Sequence, residues 1–88
     1  IRLIMKVIIN ISLKNGVLDP EGQAIESVLS NLNFTDVSNV RIGKQIILNV
    51  DRPNKEEVIK IADNMCRDLL ANTVIENYHI EALDDSLD

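Results

Sequence analysis

From Leu3 to Leu13 every odd position is apolar: Leu3, Met5, Val7, Ile9, Ile11 and Leu13. Side chains two apart share one face of an extended chain, so this segment reads as a strand with one face committed to a core. The even positions are mostly polar (Arg2, Lys6, Asn10, Ser12) but include Ile4 and Ile8. The second face is therefore partly apolar, which predicts a second packing surface.

The remaining chain supplies elements to cover that strand. Asn15-Gly16 is a turn signal, and Asp19-Pro20 opens a helix. Asp19 can accept the first free amides, and Pro20 sits where a missing N–H costs nothing. The stripe Ile25, Val28, Leu29, Leu32 predicts a helix with one apolar face, ending between Asn31 and Asp36. Two short strands follow, Val37 to Ile42 and Gln45 to Val50, turning at Gly43-Lys44. A three-residue connection would pair Ile42 with Ile46 and Val40 with Leu48, gathering apolar groups on one face. Asp51-Arg52-Pro53 ends the strand. Asn54, with Glu57 three residues on, has a capping-box pattern. The second helical stripe is Val58, Ile61, Ala62, Met65 and Leu69, flanked by Ile59, Cys66 and Leu70. Asn72 is a suitable left-handed stop, and a last strand runs roughly from Val74 to Leu83.

The order β-α-β-β-α-β predicts an α+β, ferredoxin-like sandwich: two helices on one face of a four-stranded antiparallel sheet. The chain of 88 residues reads as a single domain, 1–88, with a core from about 3 to 83 and an acidic tail over 84–88. Met5, followed by Lys6 and Val7, reads as a natural initiation point.

Composition narrows the function classes. About 45% of residues are apolar, yet Phe34 and Tyr78 are the only aromatics, so the core must be aliphatic. A domain this small leaves little interior for a deep, water-excluding pocket. The net charge of −5, with no cluster of Lys and Arg, argues against nucleic acid. A single cysteine excludes an intrachain disulfide and any multi-cysteine metal site. With no secretion signal and no long apolar run, the expectation is a soluble, cytoplasmic chain.

No catalytic constellation emerges from the residues. His79 is the one histidine; Glu81 shares its strand face but Glu76 does not, so a surface histidine is the better reading. Cys66 flanks an apolar helical stripe and reads as a small core residue. Gly16, Gly22 and Gly43 form no phosphate-cradling loop. Gly22 could allow close approach of another backbone, and Gly43 reads as a turn residue. The segments that would carry stacking aromatics in an RNA-binding domain hold Ile, Val, Asn and Lys. The spare apolar positions Ile4, Ile8 and Ile47, with open sheet edges, favour an oligomer or a docking subunit.

Three stretches together resemble a known family. They are Val17-Leu18-Asp19-Pro20-Glu21-Gly22, then Val40-Arg41-Ile42-Gly43-Lys44, and the run from Cys66 through Leu69-Leu70-Ala71-Asn72 to Val74-Ile75-Glu76-Asn77-Tyr78. In order and spacing they resemble the PurS family, the small subunit of phosphoribosylformylglycinamidine synthase, from Met5 to about Ala82. Thr73 departs from the family's usual Pro without touching a chemical group. The resemblance implies a role in purine biosynthesis. There, formylglycinamide ribonucleotide, ATP and glutamine give formylglycinamidine ribonucleotide. It implies a homo-oligomeric, non-catalytic adaptor that joins a large synthetase subunit and a glutaminase subunit and aids ammonia transfer. ATP and magnesium would belong to the complex, with no cofactor or metal on this chain and no membrane or nucleic-acid partner. Matched onto the motifs, the expected partner-interface residues are Asp19, Pro20, Gly22, Arg41, Gly43, Lys44, Asn72 and Tyr78. The alternative is an amino-acid-sensing module, since such regulatory domains share the same element order.

Overall fold

The alternating segment lies at the centre of a sheet in the computed structural model, which describes residues 4–84. Strand β1 (Met5–Leu13) is flanked by β2 (Gly43–Val50) and β3 (Glu76–Asp84), both antiparallel, in the order β2-β1-β3. Helix α1 (Pro20–Asn31) joins β1 to β2, and helix α2 (Lys55–Met65) joins β2 to β3.

The odd face of β1 is the core, as its period requires. Met5, Val7, Ile9 and Ile11 are buried against Val58, Ala62 and Cys66 of the second helical segment. In register, Val7 lies between Leu48 and Ala82, and Ile9 between Ile46 and Ile80. The even face is open. There Ile8 pairs with the exposed Ile47, and Asn10 lies between Gln45 and His79.

Asn54 caps α2, its Oδ1 accepting the amides of Glu56 and Glu57 at 2.9 and 3.2 Å. The Glu57 carboxylate pairs with Arg52 at 2.9 Å. Beyond Met65 the helix widens into a π turn over Cys66–Leu70, closed by the Ala71 amide on the Cys66 carbonyl. Asn72 is not the left-handed stop expected of it. The helix ends because Ala71 turns extended, at φ −125° and ψ 141°.

Three expectations are corrected. First, the sheet has three strands among the described residues, because residues 37–42 form no strand. Their amides are used elsewhere: Val40 N–H donates to Glu26 and Ile42 N–H to Asp19. The expected pairing of Ile42 with Ile46 and Val40 with Leu48 therefore does not form. Second, Gly43 is no turn residue. The chain reverses earlier, where Asn33 and Asn39 take left-handed φ of 73° and 57°, and Gly43 begins β2. A Cβ there would stand 2.8 Å from the Ile11 carbonyl oxygen, so glycine is needed for close approach to β1. Third, α1 does not cover the sheet. It is α2 with its π turn that packs on the sheet, and the α1 stripe residue Val28 and the adjoining Leu32 are 55% and 60% exposed.

The molecule is consequently long and thin. It measures 54 × 30 × 15 Å with a radius of gyration of 17.0 Å, against about 12 Å for a compact chain of this length. Its accessible surface is 6492 Å², where a folded monomer of this mass would expose about 5,200 Å². Helix α1 and the return segment 32–42, which carry the exposed Val28, Leu32, Phe34 and Val37, form an arm. The last strand starts at Glu76 rather than Val74 and includes Asp84, which pairs with Met5, so Asp84 belongs to the sheet. The expected strand start at Leu3 and the tail residues 85–88 lie outside the described residues.

Candidate functional site

The root of the arm gathers the first two motifs into one knot. Asp19 is buried, and its two carboxylate oxygens serve different segments. Oδ1 accepts the Gly22 amide at 2.8 Å, capping α1, and Oδ2 accepts the Ile42 amide at 2.7 Å, holding the return segment. The Ile42 bond and then the Gly22 bond hold this carboxyl below its ordinary value, with Arg41 adding to them and burial opposing. Pro20 occupies the first helical turn.

Gly22 lets the two segments meet. A Cβ on it would stand 2.3 Å from the Val40 carbonyl oxygen, a clash with backbone that no side-chain adjustment relieves. One turn further along α1, Glu26 accepts the Val40 amide at 3.0 Å. Arg41 closes the knot from outside, its guanidinium donating to the carbonyls of Val17 at 2.7 Å and Lys14 at 3.1 Å. Three charged side chains, Asp19, Glu26 and Arg41, thus tie together the loop before α1, the helix α1, and the segment returning from it.

The third motif reaches the same end of the sheet through Glu76. Its Oε1 accepts the Asn72 amide at 2.7 Å, and its Oε2 faces the Lys44 ammonium at 3.8 Å. Asn72 Oδ1 in turn accepts the Val74 amide, shaping the connection into β3. Between Lys44, Glu76 and Asp19 lies an open cleft of about 230 Å³, also lined by Ser12 and Gly43. Asp19, Pro20, Gly22, Arg41, Gly43 and Lys44 therefore come together, with Asn72 joined through Glu76.

Tyr78 is apart from them. It stands on the core face opposite Ile11, and its hydroxyl donates to Asp63 of α2 at 2.5 Å. That bond, with burial and the nearby Asp63 charge, pushes the phenol above its usual value. Arg67 pairs with the same carboxylate at 2.9 Å. Cys66 beneath is fully buried, which pushes its thiol up, with the Asp63 charge adding to the effect. A buried thiol of raised pKa is an inert core group, as its place on the stripe predicts.

Sequence reasoning overlooked Glu26, Glu76 and Asp63. For Glu26 a signal existed: it lies four residues after Gly22, hence on the same helical face. Asp63 carried a partial signal, since Arg67 lies four residues on at ion-pair spacing, but its bond to Tyr78 and the pairing of Glu76 with Lys44 join segments distant in the chain.

Beside α2, on the face the sheet shares with it, lies an apolar groove of about 420 Å³. Leu48, Ile61, Met65, Leu69 and Leu70 line it. Leu69, carried outward by the π turn, is 83% exposed. Chemically the molecule offers exposed apolar surface and charges tied to its own backbone. Among the described residues no three His, Cys, Asp or Glu side chains gather to hold a metal ion. No helix among them is long and apolar enough to cross a membrane.

These features define a small α+β module whose distinctive motifs shape an exposed arm. Comparison with known proteins specifies it further. Residues 6–84 match the family model PurS, phosphoribosylformylglycinamidine (FGAM) synthase. The subunit PurS of that synthase from Synechocystis is 48% identical over 73 residues, covering 83% of this chain and 73% of its own. The crystal structure of the Thermotoga maritima purS subunit superposes with a TM-score of 0.86 at 35% identity, covering 94% of this chain and 95% of that one. A chain of the PurLQS structure from the same organism superposes with a TM-score of 0.83 at 36% identity, covering 91% and 98%. The chain belongs to the PurS family, as a subunit of phosphoribosylformylglycinamidine synthase in purine biosynthesis.

Proposed function

We propose that this chain is the non-catalytic assembly subunit of the synthase, bridging the large synthetase and glutaminase subunits and aiding ammonia transfer between them. The observation that carries the proposal is the pairing of an uncovered apolar arm with an uncovered apolar groove. Val28, Leu32, Phe34 and Val37 are exposed along the arm, and Leu48, Met65 and Leu69 line the groove. Apolar surface of this kind marks contact with other chains. ATP and magnesium are used by the assembled complex, in the cytoplasm, and are held by the larger subunit.

Part of the uncovered surface belongs to a homo-oligomer. The groove beside α2 is where a ferredoxin-like domain places its first helix, and α1 of a second copy is the natural occupant. The described Lys and Arg side chains spread over several elements, consistent with protein partners rather than nucleic acid.

Reconstitution tests the proposal. Glutamine-dependent synthase activity of the other two subunits is measured with and without this chain. Activity that depends on the chain supports the adaptor role, and equal activity in its absence overturns it.

A further inference from the structure

Because α1 does not lie on its own sheet, packing within the chain does not decide the direction in which the arm leaves the body. That direction rests on the ties at its root. We propose that Asp19 and Arg41 are positioning residues: together they clasp the arm at one fixed angle, and assembly depends on that angle. The proposal rests on the adaptor role and adds to it the device that presents the docking surface.

Three segments meet at the root, and each charged group joins two of them or ties one to another. Asp19 holds the first turn of α1 with one oxygen and the return segment with the other. Its burial leaves the Gly22 and Ile42 amides dependent on it, since a buried amide deprived of its acceptor is costly. Arg41 lies on the return segment and grips the preceding loop at two carbonyls, 2.7 and 3.1 Å away. A planar fork with two bonds restricts rotation in a way one bond does not. The loop it grips contains Gly16, at φ +87°, with open space around it. Such a loop is free to act as a hinge unless it is held. Gly22 and Val40 provide the contact surface, and Glu26 adds a bond one turn along. The knot is therefore braced on both sides of the helix start, although the helix itself is uncovered.

Mass action sets the expected consequence. An arm that points in the competent direction only about a tenth of the time raises the subunit concentration for half-maximal assembly about tenfold, and saturating activity stays unchanged.

The test uses the full chain. Spin labels are attached at Ser27→Cys on the exposed side of α1 and Lys60→Cys on α2, and Cys66 is left in place because it is buried. Labelled chains are diluted with unlabelled ones, so that only distances within a chain are read. The unmodified root is expected to give one narrow distance distribution. Asp19→Asn and Arg41→Ala are expected to broaden it, with Arg41→Lys intermediate. Exchange protection of the Val7 and Ile9 amides is expected to be retained, which separates a released arm from an unfolded chain. In reconstitution, both variants should raise the half-saturating concentration about tenfold at constant maximal activity. If Asp19→Asn does not fold, Arg41→Ala carries the test, since its side chain is exposed. A distribution as narrow as that of the unmodified chain overturns the clasp. A broadened distribution with unchanged half-saturation overturns its role in assembly. An unmodified chain that does not stimulate the other subunits overturns the adaptor role, and the distances alone then decide the clasp.

Discussion

The Asp19 carboxylate and the Ile42 amide, 23 residues apart in the chain, meet at 2.7 Å. Through this bond a residue that caps a helix also holds the segment that returns from it. The first two family motifs are thereby parts of one structural knot, and the arm they define leaves its apolar face uncovered.

The knot has a defined acid limit. The bonds from Ile42 and Gly22 lower the Asp19 carboxyl from its usual 3.8. A lowered folded value means the contribution is complete above about that pH and is lost as pH falls through the folded value. The amides of Gly22 and Ile42 should lose exchange protection on acidification before those of Val7 and Ile9. Simultaneous loss in all four would show that Asp19 does not control the knot.

Gly22→Ala should destabilise the chain by about 1–3 kcal/mol, the range for forcing extra atoms into a filled site. The added Cβ meets the Val40 carbonyl oxygen, which is backbone. Gly16→Ala meets nothing within 4 Å but must hold φ +87°, a strain of about 1–2 kcal/mol. Urea denaturation should show both losses. Only Gly22→Ala should shift the amide resonances of Val40 and Ile42.

Core and arm should respond differently to truncation. Ile9→Ala removes a fully buried side chain from the central strand and should cost about 2–5 kcal/mol at any protein concentration. Val28→Ala on the arm should change the stability of the dilute chain by less than about 0.5 kcal/mol. In sedimentation, Val28→Ala should weaken self-association. If it leaves self-association untouched, the arm is not part of the homo-oligomer interface.

Tyr78 offers a clean alkaline titration, because it is the only tyrosine. Its bond to Asp63 leads the effects that raise the phenol above 10.0. A raised folded value means the contribution is present below about that pH and is lost as pH rises through the folded value. Absorbance of the phenolate should appear at higher pH in the folded chain than in urea. Asp63→Asn should bring the two titrations closer. Coincident curves in the unmodified chain would remove Tyr78 as a tie between β3 and α2.

Much of the body was legible because its signals are local. The period of two in β1 marked the core face, Asp19-Pro20 and Asn54 marked the helix starts, and Cys66 followed from its place on the apolar stripe. The stripe of α1 was equally plain, and it misled. Helical spacing states which residues share a face, not whether the same chain covers that face. The segment 37–42 misled for a related reason. Its alternation suits a strand, but the amides of Val40 and Ile42 found carboxylates on α1 and at its cap instead of a strand partner.

By itself, then, the sequence determined the two helices and the three strands that form, the buried face of the central strand and the residues able to start each helix, because these depend on neighbours within a few positions. The tertiary structure alone decided that the arm stands clear of the sheet and that Asp19 and Arg41 tie its root. It also decided that Asn72 reaches Lys44 only through Glu76. Those outcomes turn on which distant group meets each amide or charge, and a spacing rule carries no information about that.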